Sequence, residues 1–284
     1  MMKRIFAIAV LLTAVSCDPS GVKDPVKEKE DMPDLVDSNE VKVNELDVPH
    51  EVVDEKKIKH GIKIKWYEHG EGEQLSHGDV AHVDYKVELT NGEVIDGNHL
   101  INKDYVPFMI GFGMQTPGWD EALKELRVGD FAEVFIPAEM ARGEQAVEGL
   151  FPANSDNILK IRIVERPKPD RSVDGSNVWV FEENKEVKEV FTEENTIEFH
   201  CMAFSESTPI FVNTYRTNTP FKMKLEDHGL VPGLKKALIN AKKGDRMLVY
   251  VPSEEAYKTK GYQDIVKPNE DLMYNVLVLD VTEE

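Results

Sequence analysis

Eight histidines, 53 aspartates and glutamates and two cysteines are the side chains of this 284-residue chain best suited to acid–base, nucleophilic or metal chemistry. Their spacing supports none of the common arrangements. There is no His-Glu-x-x-His pair on a helix face, no phosphate loop and no nucleophile elbow. Gly111-x-Gly113 runs into Gln115-Thr116-Pro117 without the third glycine or the long helix of a dinucleotide site. Asp120-Glu121 opens a short predicted helix, where carboxylates complement the positive end of the dipole, a structural role rather than a catalytic pair. Two cysteines make neither a disulfide scaffold nor a four-thiolate zinc site. Among the aromatics, Tyr85, Trp119, Phe211 and Phe221 are of the kind that fills the core of any small barrel, and Asp96 follows a hairpin, where an Asp caps a turn.

The elements that would position these residues occur twice. Pro117-Gly118-Trp119 recurs as Pro232-Gly233-Leu234, and the same shift of 115 carries Ala122-Leu123 to Ala237-Leu238 and Gly129-Asp130 to Gly244-Asp245. Val134, Pro137, Glu139, Ala141, Asn154 and Asp156 fall on identical residues at that shift. A register kept through glycines and prolines predicts two domains of one fold. In the first, Val83, Tyr85, Val87 and Leu89 alternate with His82, Asp84, Lys86 and Glu88, as in a half-buried strand. Asn91-Gly92 suits a tight hairpin turn. Trp119, Ala122, Leu123 and Leu126 share one face of a short helix. Ala132, Val134 and Ile136, then Leu159, Ile161 and Ile163, make further strands. The second copy repeats the pattern with Ile197, Phe199, Cys201 and Ala203, a helix through Leu234, Ala237, Leu238 and Ala241, and a last strand through Leu272, Tyr274, Val276 and Val278. The expected class is α+β, each domain an antiparallel sheet wrapped on one short helix.

Ahead of the repeats, Lys3 and Arg4 precede an uncharged stretch from Ile5 to Val15, then Ser16 and Cys17, which is the layout of an export signal. The run is shorter than the roughly 20 residues that span a bilayer. Ala14-Val15-Ser16-Cys17 resembles a bacterial lipobox, with Cys17 the acylated residue. Residues 18–56 hold 13 acidic side chains against five Lys, four prolines and no aromatic residue, and are expected to form a flexible tether. The expected division is 1–16 signal peptide, 17–56 tether, 57–166 first domain, 167–176 linker and 177–284 second domain. A formal charge of -19 argues against nucleic-acid binding, which requires excess Lys and Arg. Cys201, alone in an apolar segment, reads as a small core residue.

Gly78-Asp79-Val80 through Tyr85, Asn91-Gly92, Ile95-Asp96, Phe108-x-Ile110-Gly111, Pro117-Gly118-Trp119-Asp120-Glu121-Ala122-Leu123, Val128-Gly129-Asp130, Ile136-Pro137, Ala141 and Pro152-Ala153-Asn154 occur in order. This series resembles FKBP-type peptidyl-prolyl cis-trans isomerase domains, and residues 177 to 283 resemble a divergent second copy through Pro220-Phe221, Val231-Pro232-Gly233, Val251-Pro252 and Ala256-Tyr257. The resemblance implies a half-barrel sheet around a short helix, an apolar pocket between them, and no cofactor or metal. It places Trp119 at the pocket floor, Tyr85 on the wall and Asp96 at the rim as the catalytic set. Ile95, Val106, Phe108, Gln115, Thr116, Arg142 and Ile161 take substrate-binding positions; Ile95, Val106 and Ile161 stand where the family carries Phe, Gln115-Thr116 where it carries Val-Ile, and Arg142 where it carries Tyr. In the second copy Phe211, Phe221, Leu230, Val231, Leu234, Tyr257 and Tyr274 take binding positions, with Tyr262 at the rim. Leu234 replaces the floor Trp, Cys201 the wall Tyr and Val212 the acid.

The function expected from this resemblance is isomerisation of Xaa-Pro bonds in envelope or secreted proteins, the first domain the more active. Its partners would be proline-containing polypeptides and, through lipid on Cys17, a membrane, with the outer membrane the favoured site in the cell envelope. The substituted pockets leave open a second expectation, a non-catalytic binding module acting as a chaperone or as a subunit of an envelope complex.

Overall fold

The computed structural model describes Leu46, residues 50–147 and residues 151–283. The expected signal peptide, Cys17 and most of the acidic stretch lie outside the described residues. Among the described residues no helix is long and apolar enough to cross a membrane.

The first domain runs β1 (Asp54–Lys57), β2 (Lys63–Glu68), β3 (Val80–Leu89), β4 (Val94–Gly97), β5 (Val106–Met109), α1 (Pro117–Leu123), β6 (Phe131–Ile136) and β7 (Asn157–Glu165). The second runs β8 (Arg171–Val173), β9 (Ser176–Glu182), β10 (Thr196–Ser205), β11 (Val212–Asn213), α2 (Thr214–Thr217), β12 (Phe221–Met223), α3 (Pro232–Leu238), β13 (Arg246–Val251) and β14 (Leu272–Thr282). One antiparallel sheet has the order β1-β2-β6-β7-β3-β4 with β5 also on β3; the other has β8-β9-β13-β14-β10-β11 with β12 on β10. These are the same topology, strand for strand. Even the register shift between His82 and Val83 recurs between Glu198 and Phe199.

The repeated residues keep their structural work in both copies. Asp130, 1% exposed, accepts bonds from Trp66 Nε1 (2.9 Å), Gly70 N (2.7 Å) and Arg127 N (3.1 Å). Asp245 does the same for Asn184 N (3.0 Å) and Lys242 N (2.9 Å). Asp156 and Asp271 each take a backbone N–H, from Ala138 and Ser253, at 2.8 Å. Both short helices start with Pro at the first turn, where its missing N–H costs nothing. At seven residues neither is stable alone; Trp119, Ala122 and Leu123, and Leu234, Ala237 and Leu238, hold them against their sheets.

Three expectations need correction. The segment 167–176 is not simply a linker, because β8 pairs with β9 inside it (Arg171 opposite Val178), and Arg171 donates to the carbonyls of Ile239 and Ala237. Likewise the stretch 17–56 does not run unstructured to its end, since β1 begins at Asp54 and pairs with β2. All four β1 residues are exposed, and three-residue β8 has none fully buried, so neither carries an apolar alternation that sequence periodicity detects. Finally, β10 is not half-buried: Ile197, Phe199, Cys201 and Ala203 face α3, but Met202 and Phe204 on the other face are buried as well. The first domain covers that face.

A candidate functional site on the first domain

Strand β3 presents Tyr85 and Val87 on its inner face, β4 lays Asp96 opposite Val87, and α1 brings the Trp119 indole beneath them. Tyr85 is fixed from behind by its own backbone N–H, which donates to Asn98 Oδ1 at 2.7 Å. Its ring meets Trp119 edge-on at 5.0 Å, and Phe108 stacks on the other side of Trp119 at 5.4 Å. The Tyr85 hydroxyl donates to Asp96. Burial, reinforced by the Asp96 charge, raises that hydroxyl far above the ordinary tyrosine range, so it remains a donor. Burial also raises Asp96; bonds from Gly97 N (2.8 Å) and Tyr85 and the attraction of Arg142 and His99 oppose the rise.

A cleft of about 40 Å³ opens between these groups, lined by Val87, Ile95, Asp96, Gln115, Thr116, Trp119, Arg142, Phe151 and Asn157. That is room for a few waters, which an entering ring would displace. The Arg142 guanidinium lies over the Phe151 ring, 5.6 Å from its centre, and faces the cleft beside Asp96. Two atoms of the cleft's lining residues, Thr116 Oγ1 and Asn157 Oδ1, are buried with no hydrogen-bond partner among the described residues.

Of the positions expected from sequence, Ile95, Asp96, Gln115, Thr116, Trp119 and Arg142 line the cleft, while Tyr85 and Phe108 brace the floor from the sides. Val106 is half-buried at the β3–β5 edge. Ile161, across from Tyr85 in β7, is fully buried in the core and does not line the cleft. Val87, Phe151 and Asn157 are lining residues that sequence reasoning missed. Asn157 was detectable: it shares the parity of Leu159, Ile161 and Ile163, so β7 must turn it inward.

The loop between β5 and α1, which carries Gln115 and Thr116, is tied to the helix by Asp120. Its carboxylate accepts from Gly111 N (2.8 Å) and Gly113 N (2.7 Å), and burial raises it above the usual range. In the second copy Lys235 stands at this place and donates instead to the carbonyls of Leu225 and Asp227, both at 2.9 Å.

The expected residues of the second copy also gather in one cluster. Val231, Leu234 and Tyr274 are buried in it, and Phe211, Phe221, Leu230 and Tyr257 pack on its edge. Phe221 tilts against Phe199 at 5.6 Å, and Tyr257 stacks on Tyr262 at 4.8 Å. Leu234 is the floor, and Cys201 sits at the position of Tyr85, its thiol pushed up to about 12 by burial, which makes it inert as a nucleophile. Thr214 replaces Asn98, accepting from Cys201 N at 2.8 Å. No carboxylate faces this site at Val212.

Only one trio of potential metal ligands comes together among the described residues: His77, Glu206 and Asp271, within 4.8 Å of one another. None of them lines the cleft. Asp271 is already engaged by the Tyr250 hydroxyl (2.5 Å) and Ser253 N (2.8 Å).

Residues 71–164 and 188–279 both match FKBP-type peptidyl-prolyl cis-trans isomerase. The chain is similar to FK506-binding protein 1A of Neurospora crassa, 32% identical over 105 residues, covering 37% of this chain and 87% of that protein. It is also similar to Outer membrane protein MIP of Legionella longbeachae, 32% identical over 108 residues, 38% of this chain and 45% of that protein. A longer match, 19% identical over 208 residues, covers 73% of this chain and 35% of Peptidyl-prolyl cis-trans isomerase FKBP10 of Homo sapiens. With two matched domains of one topology, this chain belongs to the FKBP-type peptidyl-prolyl cis-trans isomerase family.

Proposed function

We propose that the first domain catalyses cis-trans isomerisation of Xaa-Pro bonds in polypeptide clients. The observation that carries this reading is the Trp119 floor, with Tyr85 and Phe108 braced against it and Asp96 at the rim of the same cleft. Isomerisation faces a barrier of about 18–20 kcal/mol because the twisted amide loses its resonance. The twisted amide is also less polar than the planar one. An apolar cleft that grips the proline ring and excludes water therefore binds the transition state better than the ground state. The Gln115 amide and the Arg142 guanidinium at the rim are donors for the substrate carbonyl. No nucleophile, metal or redox group takes part in such a step.

The second domain reads as a binding site without turnover. Leu234, Cys201 and Val212 remove the floor indole, the hydroxyl and the acid together, while Phe211, Phe221 and Tyr257 keep an apolar edge. It would hold client segments near the first domain, or dock on an envelope complex. We place the protein in the cell envelope, exported by its first 16 residues, lipid-anchored at Cys17 and spaced from the outer membrane by the acidic stretch. Support for this comes from the lipobox-like sequence and from similarity to a protein named as an outer membrane protein.

The test is turnover of Xaa-Pro peptides by the full chain and by Trp119→Ala. Acceleration that disappears in the variant supports the enzyme reading; a folded wild-type protein with no acceleration overturns it in favour of a binding module. Loss of detergent partitioning in Cys17→Ser tests the anchor.

A further inference from the structure

The loop that feeds Gln115 and Thr116 into the cleft is held from two sides. On one side is the Asp120 carboxylate described above. On the other is the second domain. Phe112, at the loop's crest, is 1% exposed; its ring lies 4.8 Å from His77 and meets Tyr250 edge-on at 6.2 Å. A Cβ on Gly113 would come within 3.2 Å of Pro209, and one on Gly78 within 3.3 Å of the Tyr250 ring. The outer face of the second sheet supplies Trp179, Met202, Phe204, Leu248 and Met273 to the same apolar cluster as the first domain's core. Tyr250 is anchored there by its hydroxyl on Asp271 (2.5 Å).

The turn that reaches Gly113 is strained. Ile210, next to Pro209, has φ 48°, a conformation that β-branched residues avoid at a cost of order 1–3 kcal/mol. Such a conformation persists only where its surroundings over-determine it, and Ile210 packs against the shared cluster. Hence the turn is shaped by what it touches in the other domain.

We propose that the second domain is a positioning element for the first domain's substrate loop: Tyr250 and the Pro209–Ile210 turn press on Phe112 and Gly113, and so keep Gln115 and Thr116 on the cleft. Tyr250 and Pro209 are positioning residues, since neither reaches the cleft. The consequence for turnover rests on the isomerase reading given above; the consequence for loop order does not.

The experiment uses the full chain as wild type, Tyr250→Ala, Tyr250→Phe and Pro209→Gly. Amide hydrogen exchange is followed at Gly111 and Gly113, with β6 and β7 amides as reference for the first domain and β13 and β14 amides for the second. Tyr250→Ala should speed exchange at the two loop glycines about tenfold with the reference strands unchanged, and Tyr250→Phe, which keeps the ring, should restore protection. In peptide turnover Tyr250→Ala should raise KM about fivefold with kcat within about twofold, as expected when a substrate contact loosens in ground and transition states alike. Unchanged loop exchange in Tyr250→Ala, with both domains folded, overturns the proposal. Should that variant unfold β13 and β14, Pro209→Gly decides: faster exchange at Gly113 supports the proposal, unchanged exchange overturns it. If wild type shows no turnover, the isomerase reading fails while the exchange result still stands or falls by itself.

Discussion

Glu88 and Phe204 occupy the same place in the two copies, paired respectively with Ile158 of β7 and Met273 of β14, yet one is a charge and the other a fully buried ring. The comparison extends across both outer faces. Asp84, Lys86, Glu133 and Lys160 on the first sheet answer to His200, Met202, Leu248 and Asn275 on the second. On the first sheet the charges pair with one another, Lys86 with Glu88 at 2.5 Å and Lys160 with Glu88 at 3.5 Å. On the second the apolar side chains join the first domain's core. One topology thus serves two different jobs: a sheet whose outer face carries paired charges, and a sheet whose outer face joins the other domain's apolar core. The inner faces differ in a complementary way, because the copy with the covered sheet is the one that lost the indole, the hydroxyl and the acid.

The sharpest way to break this comparison is to exchange the outer faces. Phe204→Glu should cost at least about 4 kcal/mol in urea unfolding, because it buries a charge with no partner. Glu88→Leu at the matching place takes a carboxylate partner from buried Lys86 and should cost less, about 1–3 kcal/mol. Equal effects would mean that the second sheet's outer face is not covered in solution.

Exchanging the floors comes next. Trp119→Leu copies the second domain into the first, and should cost roughly 2 kcal/mol of stability and reduce kcat/KM about tenfold. The converse, Leu234→Trp, overpacks a fully buried site and should destabilise by about 1–3 kcal/mol without creating turnover.

A smaller effect separates the rims. Because burial raises Asp96 in the folded state, the unfolded chain ionises first as pH rises, and wild type loses stability across that interval. Asp96→Asn escapes this loss. Its melting temperature should match wild type below the ordinary aspartate range, overtake it as pH rises through that range, and hold a constant lead once the folded carboxyl has ionised. At the same time kcat/KM should fall about tenfold with the rim acid gone. A lead that shrinks as pH rises would reverse the assignment.

Smallest of all is Asn157→Leu, which installs the residue found at the matching position, Leu272. It removes a buried acceptor with no partner and should stabilise by up to about 1 kcal/mol, read by calorimetry. Tighter binding of Leu-Pro peptides by the variant would show that Asn157 tunes the cleft away from apolar residues.

How much of this could be read before the fold was known depends on what each residue does locally. The repeat was carried by positions whose roles are local and backbone-driven, such as the Pro that starts each helix and the Asp that closes the turn after it, so the two domains emerged from the chain alone, whereas Trp119 as a floor came from the family resemblance. Strands β1 and β8 were missed because an exposed or three-residue edge strand is fixed by its partner, not by its own pattern. The covered face of β10 left a visible trace: Cys201-Met202-Ala203-Phe204 is a continuous apolar run where the first copy alternates, which is how a strand buried on both faces reads. Phe151 is different, since it reaches the cleft through a long connection whose path no local rule gives.

The shared apolar cluster has a thermal consequence. Repeated domains joined by a short segment commonly melt one after the other, but here the core of one half contains five side chains of the other. Opening either half exposes apolar surface on both, so heat should produce one calorimetric transition whose enthalpy scales with the whole folded length, about 0.7 kcal/mol per residue near 60 °C. By the same reasoning, a protease cut between Pro167 and Pro169 should leave two fragments that still sediment as a single particle.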